Sequence, residues 1–266
     1  MAEQKKDFES VMAEGEKNRS SILIFLIVVG LFIFSLFQMN IDPSRIARGF
    51  SRMVGYVQAM FPPSYGEIPR LVPLAIESLQ IAILGTFIGI ILSIVLSMFA
   101  AKNLTPFAPL GIALKGAFAF TRAVPALVWA LLFITAVGLG ALPGILALGI
   151  NSVGMLGKVF SESFEEMDLS VLDGLRSTGA SDLQVFVQGV VPQTLPILLS
   201  WSLFRLDINI RYASILGVVG AGGIGWELVR ASRMRDHPGL LMLTLIILVM
   251  VYTVEQITNY ARGVIR

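Results

Sequence analysis

This chain has 266 residues, of which 55% are hydrophobic and only 14% charged, with a mean hydropathy of +0.79. That is more apolar side chain than a water-soluble core and its polar surface need, so an integral membrane protein is expected. A net charge of +2 excludes a polybasic nucleic-acid surface, the absence of cysteine excludes disulfides and thiolate metal sites, and the lone His237 leaves little for imidazole chemistry.

In chain order, residues 1–21 form a tail in which five acids and four bases surround Phe8, Val11 and Met12, and the composition leaves a surface helix and a disordered arm both open. Apolar runs long enough to cross about 30 Å of hydrocarbon, which takes roughly 20 helical residues, fall near 22–39, 73–100, 112–137, 141–160, 191–218 and 239–262. Six spans are expected. The first has no small-residue cleavage pattern after it, only Phe37-Gln38-Met39-Asn40, and reads as an anchor followed by an external loop to residue 72. The third carries Lys115 and Arg122 in its first part, which leaves open that residues 105–121 form an interfacial helix instead.

Placing the N-terminus in the cytoplasm puts eleven Lys and Arg inside, including every lysine, and seven arginines outside: Arg45, Arg48, Arg52, Arg70, Arg230, Arg233 and Arg235. The positive-inside rule favours this orientation, with both termini and the segment between the fourth and fifth spans cytoplasmic.

That segment, Ser161 to Gln188, is a polar island between apolar runs. After Asp168, Leu169, Leu172 and Leu175 recur every third residue, which predicts a short amphipathic helix. Gly179 suits the left-handed conformation of a helix stop, and Ser181 with Gln184 forms a capping box that starts a second short helix, with Leu183, Phe186 and Val187 on one face. Pro192 suits the first turn of the fifth span. The product is an elbow of two short helices.

The elbow's spacing resembles the cytoplasmic coupling loop of ABC importer permeases, whose pattern is Glu-Ala-Ala, three residues, Gly, nine residues, then Ile-x-Leu-Pro. Here Gly179 and Pro192 stand at matching distances, while Asp173, Gly174 and Leu175 replace Glu-Ala-Ala, and Gly189 and Val191 replace Ile and Leu. The acid-Gly-Leu opening resembles the phosphonate-type branch of binding-protein-dependent permeases. The similarity runs from about Pro73 to the C-terminus through Arg122-Ala123-Val124-Pro125, Gly138-Leu139-Gly140, Lys158-Val159-Phe160-Ser161-Glu162 and the glycine-rich run from Gly217 to Gly225.

What the resemblance implies is an all-α permease of the type I ABC importer fold, with its permease domain at 73–266 and its coupling loop at 161–190. Leu172, Asp173, Gly174, Leu175, Arg176, Gly179 and Ala180 would engage a groove on an ATP-binding subunit, two copies of which would serve a symmetric dimer of this chain in the bacterial inner membrane. An external binding protein would deliver the solute. No Gly-x-x-x-x-Gly-Lys-Ser/Thr phosphate loop occurs, so the motor must be a separate chain, and no cofactor or metal is expected in this one.

The fifth span carries Arg205, Asp207, Asn209 and Arg211. A charge at the membrane centre costs about 2.5–3.5 kcal/mol on insertion scales, so these side chains must face protein or water. Asp207 and Arg211 stand one helical turn apart and can neutralise each other, while Arg205 and Asn209 share a face about 200° round. Arg205 has two readings: a guanidinium for a passing oxyanion, or a structural bond to Glu77, Glu255 or a nearby carbonyl.

Gly220-Ala221-Gly222-Gly223-Ile224-Gly225 satisfies the dinucleotide pattern but follows a membrane helix with no βαβ unit around it. These glycines (Gly220, Gly222, Gly223 and Gly225) are expected to break the chain at the outer end of the fifth span, with Trp226 at the interface and a gate nearby in the family architecture. Glu227, Arg230 and Arg233 come next, placed either for a binding protein or as a solvated loop, and Asp236-His237-Pro238 reads as a helix cap.

Rival functions are weaker. Asp173-Gly174 with Arg176 faintly resembles the metal signature of lipid phosphatidyl-alcohol transferases, but after Asp182 the next acid is Asp207 in another element. A protease would need His237 and a Gly-x-Ser-x-Gly partner that is absent. An ion-driven carrier using Glu77, Asp207 and Glu255 lacks the repeated halves such proteins usually show. Among ABC importers, the methionine-type branch is the nearest alternative.

Overall fold

A computed structural model describes residues 21–39 and 42–265. The N-terminal tail, open between a surface helix and a disordered arm, lies outside the described residues. The chain divides between Gln58 and Ala59 into two units.

In the first unit, α1 (Ser21–Gln38) is an apolar helix of 18 residues, long enough to cross a membrane. The region expected as an external loop is helical: α2 runs Pro43–Met60, crossing the unit boundary in its last turn. Asp42 caps its start, accepting hydrogen bonds from the Ser44 amide and hydroxyl, both at 2.9 Å.

The second unit is all-helical among the described residues: α3 (Ile68–Ala100), α4 (Ala108–Ala123), α5 (Ala126–Val137), α6 (Ala141–Glu165), α7 (Leu169–Ser177), α8 (Asp182–Val185), α9 (Val191–Leu216), α10 (Ile224–Met234) and α11 (His237–Ile265). Among the described residues, four helices are long and apolar enough to cross a membrane, or up to six if each of two bent pairs is one span.

The third expected span is one of those pairs, and it is not continuous. α4 and α5 meet at 91° around Val124-Pro125. Proline has no N–H to continue the ladder and biases the preceding residue away from helix. The freed carbonyls are taken up by side chains: Trp129 Nε1 donates to Thr121 O at 3.3 Å and Asn151 Nδ2 to Val124 O at 3.3 Å. Lys115 pairs with Glu165 at 2.6 Å, and Glu165 also accepts the Lys102 amide at 2.7 Å, so the middle of α4 and the turn before it are tied to the end of α6.

The second unit's core is built around α3 against α6. Small residues permit the approach: a Cβ on Gly89 would stand 2.4 Å from Ser152 Cβ. In lipid, where apolar contact with tails competes equally, such close backbone packing is a main source of helix association. Around that pair, Ile81, Ala82, Leu148, Ile210 and Leu216 form one buried cluster, and Leu156, Phe160, Phe164, Leu172 and Leu198 another, which reaches the polar island.

A candidate docking elbow and a buried polar network

Asp168 caps α7, its carboxylate accepting the Ser170 amide at 2.9 Å. Hydrogen bonds from Ser170, side chain first and then backbone, hold the Asp168 carboxyl below the usual carboxylate range. Gln193, in the first turn of α9, accepts the Asp168 amide at 3.0 Å, so α7 is fastened at its start to the base of a long helix.

Leu172 is 4% exposed, Leu175 is half-buried beside it, and both point back into the bundle. Leu169, expected on the same face, is exposed together with Val171, because the inward face of α7 is only two leucines wide. Asp173, Gly174 and Arg176 form the outward face, with a loose Arg176–Asp173 contact at 3.5 Å. Gly179 adopts φ +83 and its amide bonds to Arg176 O at 3.0 Å, the left-handed stop that lets the chain turn into Ala180.

The capping box is present: the Ser181 amide donates to Gln184 Oε1 at 2.8 Å and the Gln184 amide to Ser181 Oγ at 3.4 Å. The second short helix expected after it does not form as a separate element. α8 has four residues and runs through a π turn, Phe186–Val190, straight into α9. The Val191 amide reaches back to Phe186 O, and the widened turn opens space where the ring of Pro192 would otherwise meet the carbonyl four residues earlier. The shift in period also moves the inward face: Val185 and Val190 are buried and Val187 is exposed, while the Leu183 side chain lies outside the described residues.

Gly189, a departure from the general importer pattern, has a packing reason. A Cβ there would stand 2.6 Å from Leu172 Cδ2 and 3.0 Å from Leu175 Cδ1. The glycine is the seat on which α7 rests against the base of α9.

Farther up α9, Arg205 is 4% exposed and Asn209 fully buried. Arg205 Nε donates to Ser152 Oγ at 2.9 Å, another of its nitrogens bonds Asn151 Oδ1, and a third lies 3.5 Å from Met155 Sδ. Asn209 Nδ2 donates to Thr86 Oγ1 at 2.8 Å and to Ser152 Oγ at 2.9 Å, while Asn209 Oδ1 is buried with no hydrogen-bond partner among the described residues. The two residues do share a face, and that face is pinned to α3 and α6. Asn151 carries the link on to the α4–α5 break through Val124 O.

Neither Glu77 nor Glu255, the carboxylates considered for Arg205, is its partner. Among the described residues no carboxylate lies within ion-pair distance of it. The pair expected on the other face forms: Arg211 bonds Asp207, which is 5% exposed, while Arg211 itself is half-exposed.

At the far end of α9, Gly220, Gly222 and Gly223 take φ of +99, +80 and +72, conformations that favour glycine, and the chain bends by 47° into α10. The loop is held by Gly140, whose amide donates to Gly220 O at 3.0 Å, and by Ser78, whose hydroxyl accepts the Ile224 amide at 2.9 Å. Gly225 lies inside α10, packed on Ser214 and Gly217. A cleft of about 270 Å³ opens here, lined by Leu74, Glu77, Leu139, Gly140, the loop glycines and Trp226. Beyond it, Glu227 is gripped by Arg70 and by Arg230, the latter at 2.6 Å. Asp236 accepts the Gly239 amide at 3.0 Å, the cap expected for the last helix.

Residues 89–261, which include the elbow, the polar network and the glycine loop, match the family described as binding-protein-dependent transport system inner membrane component. The chain belongs to that family. Among its relatives, the "Phosphate-import permease protein PhnE" of Mycolicibacterium smegmatis is 37% identical over 233 residues, 88% of this chain and 44% of that one, so the chain spans less than half of that relative's length. The "Phosphite transport system permease protein PtxC" of Stutzerimonas stutzeri is 34% identical over 239 residues, covering 89% of this chain and 86% of the relative. In solved structures, the inward-facing MetNI methionine ABC transporter aligns with 76% of this chain and 99% of its own at a TM-score of 0.65 and 16% identity. This inner membrane component therefore has the type I ABC importer permease fold.

Sequence reasoning placed the two ends of α9 but missed Asn151, Ser152 and Thr86, the partners that define the network. The available signal was a set of small polar residues inside otherwise apolar spans.

Proposed function

We propose that the chain is the permease subunit of an ATP-binding-cassette importer for phosphonate, phosphite or phosphate, delivered by an external binding protein and driven by a separate ATPase. It catalyses nothing itself. Two copies would enclose the path in the bacterial inner membrane, with both termini and the elbow cytoplasmic, facing two ATPase subunits. The outward face of α7, with Asp173, Gly174 and Arg176, would sit in the ATPase groove together with Gly179 and Ala180, while Leu172 and Leu175 hold the helix to the bundle.

The observation that carries the substrate class is Arg205: a buried guanidinium whose partners are neutral. Such a cation keeps its field available for a passing oxyanion, and a transient contact suits a path that must also release its cargo. Asp207, Asn209 and Arg211 would tune that field, and Gly220, Gly222, Gly223 and Gly225 would let the outer end move as a gate. Support from relatives is the naming of phosphate and phosphite permeases at 37% and 34% identity. The methionine transporter shares the fold at 16% identity and carries no argument about cargo.

The test is uptake by proteoliposomes holding the chain, its ATPase and its binding protein. Phosphate, phosphite and methylphosphonate are expected to compete with one another for ATP-driven uptake and methionine to have no effect. Competition by methionine alone would overturn the substrate assignment.

A further inference from the structure

Helix α2 lies outside residues 89–261, which match the family, and it has a marked asymmetry. Ile46, Phe50, Met53 and Val57 fall within an arc of about 60° at 100° per residue, and Val54 and Met60 flank it. Arg45, Arg48 and Arg52 occupy another arc of about 60°, roughly 140° away. The helix Pro43–Met60 contains no acid and no buried residue, and Ile46 and Phe50 are each 64% exposed. The Arg48 side chain pairs with Asp42 at 3.4 Å on the surface, and Arg52 Nε donates to the Arg48 carbonyl at 3.2 Å.

The helix is too polar to span: three arginines in 18 residues exclude it from the hydrocarbon centre. Its position along the chain nevertheless keeps it at the membrane. α1, with 18 residues, extends about 27 Å at 1.5 Å per residue, close to the thickness of the hydrocarbon layer, so Gln38 emerges at the interface. The five Cα-to-Cα steps from Gln38 to Pro43 reach at most about 18 Å. Whatever else α2 does, it starts among or just above the headgroups.

We propose that α2 is an in-plane membrane anchor: Ile46, Phe50, Met53 and Val57 dip into the acyl boundary, and Arg45, Arg48 and Arg52 bind the phosphates of anionic lipids. That placement gives both faces a matching solvent, and arginine's fork suits a phosphodiester oxygen better than bulk water alone. Opposite charge on helix and lipid selects the occupant, since each basic residue close to an anionic surface adds attraction. The anchor would fix the height of α1's end at the bilayer surface.

Because the chain has no cysteine, single labels can be placed in the full-length protein. Spin labels at Phe50→Cys, Val57→Cys, Ser51→Cys and Gln58→Cys, one at a time in nanodiscs containing phosphatidylglycerol, would be probed with oxygen and with a water-soluble nickel chelate. Positions 50 and 57 are expected to favour oxygen, and positions 51 and 58 nickel. Adding Arg45→Gln, Arg48→Gln and Arg52→Gln together should lower the oxygen preference at position 57 several-fold in phosphatidylglycerol discs and leave it unchanged in phosphatidylcholine discs. Nickel access at 50 and 57 would overturn the proposal by placing the helix in water. Protection from both reagents would overturn it by revealing a protein cover, a second copy or a binding protein. An arginine effect reproduced by millimolar inorganic phosphate in phosphatidylcholine discs would mean that the stripe takes a free oxyanion rather than a lipid.

Discussion

The elbow and the buried network meet on the same long helix and are held in opposite ways. Between Asp168 and Gln184 most bonds join residues two to four apart: a carboxylate cap, a left-handed glycine, a reciprocal Ser181–Gln184 box. Around Arg205 and Asn209 the bonds join residues 50 or more apart and knit three helices. A locally closed unit can be pushed as one body without losing its shape, whereas a cross-helix network has to break or move together. In the proposed importer, the contrast suits the first to force reception and the second to a fixed polar point.

Arg205→Met separates charge from architecture most sharply. Removing the guanidinium relieves its desolvation but leaves Asn151 Oδ1 without its donor, a cost of about 1–3 kcal/mol, while loss of a charge-assisted contact should slow oxyanion uptake about ten- to hundredfold. Uptake assays and thermal unfolding on the same preparation check this. Uptake left unchanged by Arg205→Met would make Arg205 a structural pin only.

Gly179→Val attacks the elbow. Forcing a β-branched residue into φ +83 costs about 1–2 kcal/mol, enough to reshape the bend, so ATP hydrolysis and uptake should uncouple while membrane insertion stays normal. Gly189→Val should do the same from the other side by pushing Leu172 off its seat. Lost insertion in both variants would mean that the elbow is needed for folding rather than for transmission.

A gentler change probes the outward face of α7. Gly174 has open space around it, so Gly174→Ala should stabilise α7 by about 0.5–1 kcal/mol, and yet reduce ATPase stimulation by a small factor if a partner's groove fills that space. Unchanged stimulation would leave that face unoccupied.

Acid sensitivity of the α7 cap should be slighter still. Because the folded Asp168 carboxyl lies below its ordinary value of 3.8, its contribution is fully present above that value and fades as pH falls through the lower folded one. The protection factor of the Ser170 amide should therefore be flat near neutrality and fall only in strong acid, and Asp168→Asn should abolish the fall.

Legibility in the sequence divides along the same line. Gly179, Ser181 and Gln184 announce themselves because caps and stops act within a few residues, and the Asp207–Arg211 pair is one helical turn. The break at Val124-Pro125 is visible as a proline, but the apolar run on each side of it reads as one continuous span. The partners of Arg205 and Asn209 are hidden, since Asn151, Ser152 and Thr86 become informative only once α3, α6 and α9 are packed together. α2 carries a clear 3.6-residue stripe, yet its arginines speak first to orientation, and a segment joining two spans reads as a loop until its period is counted.

The proposed mechanism stands on one dependence: this chain moves solute only when an outside engine pushes its elbow. The direct measurement is solute uptake into vesicles holding the chain alone under an imposed ion or pH gradient, compared with vesicles that also contain the ATPase subunits, binding protein and ATP. Accumulation is predicted only in the second set. Concentration of solute by the chain alone would refute the dependence.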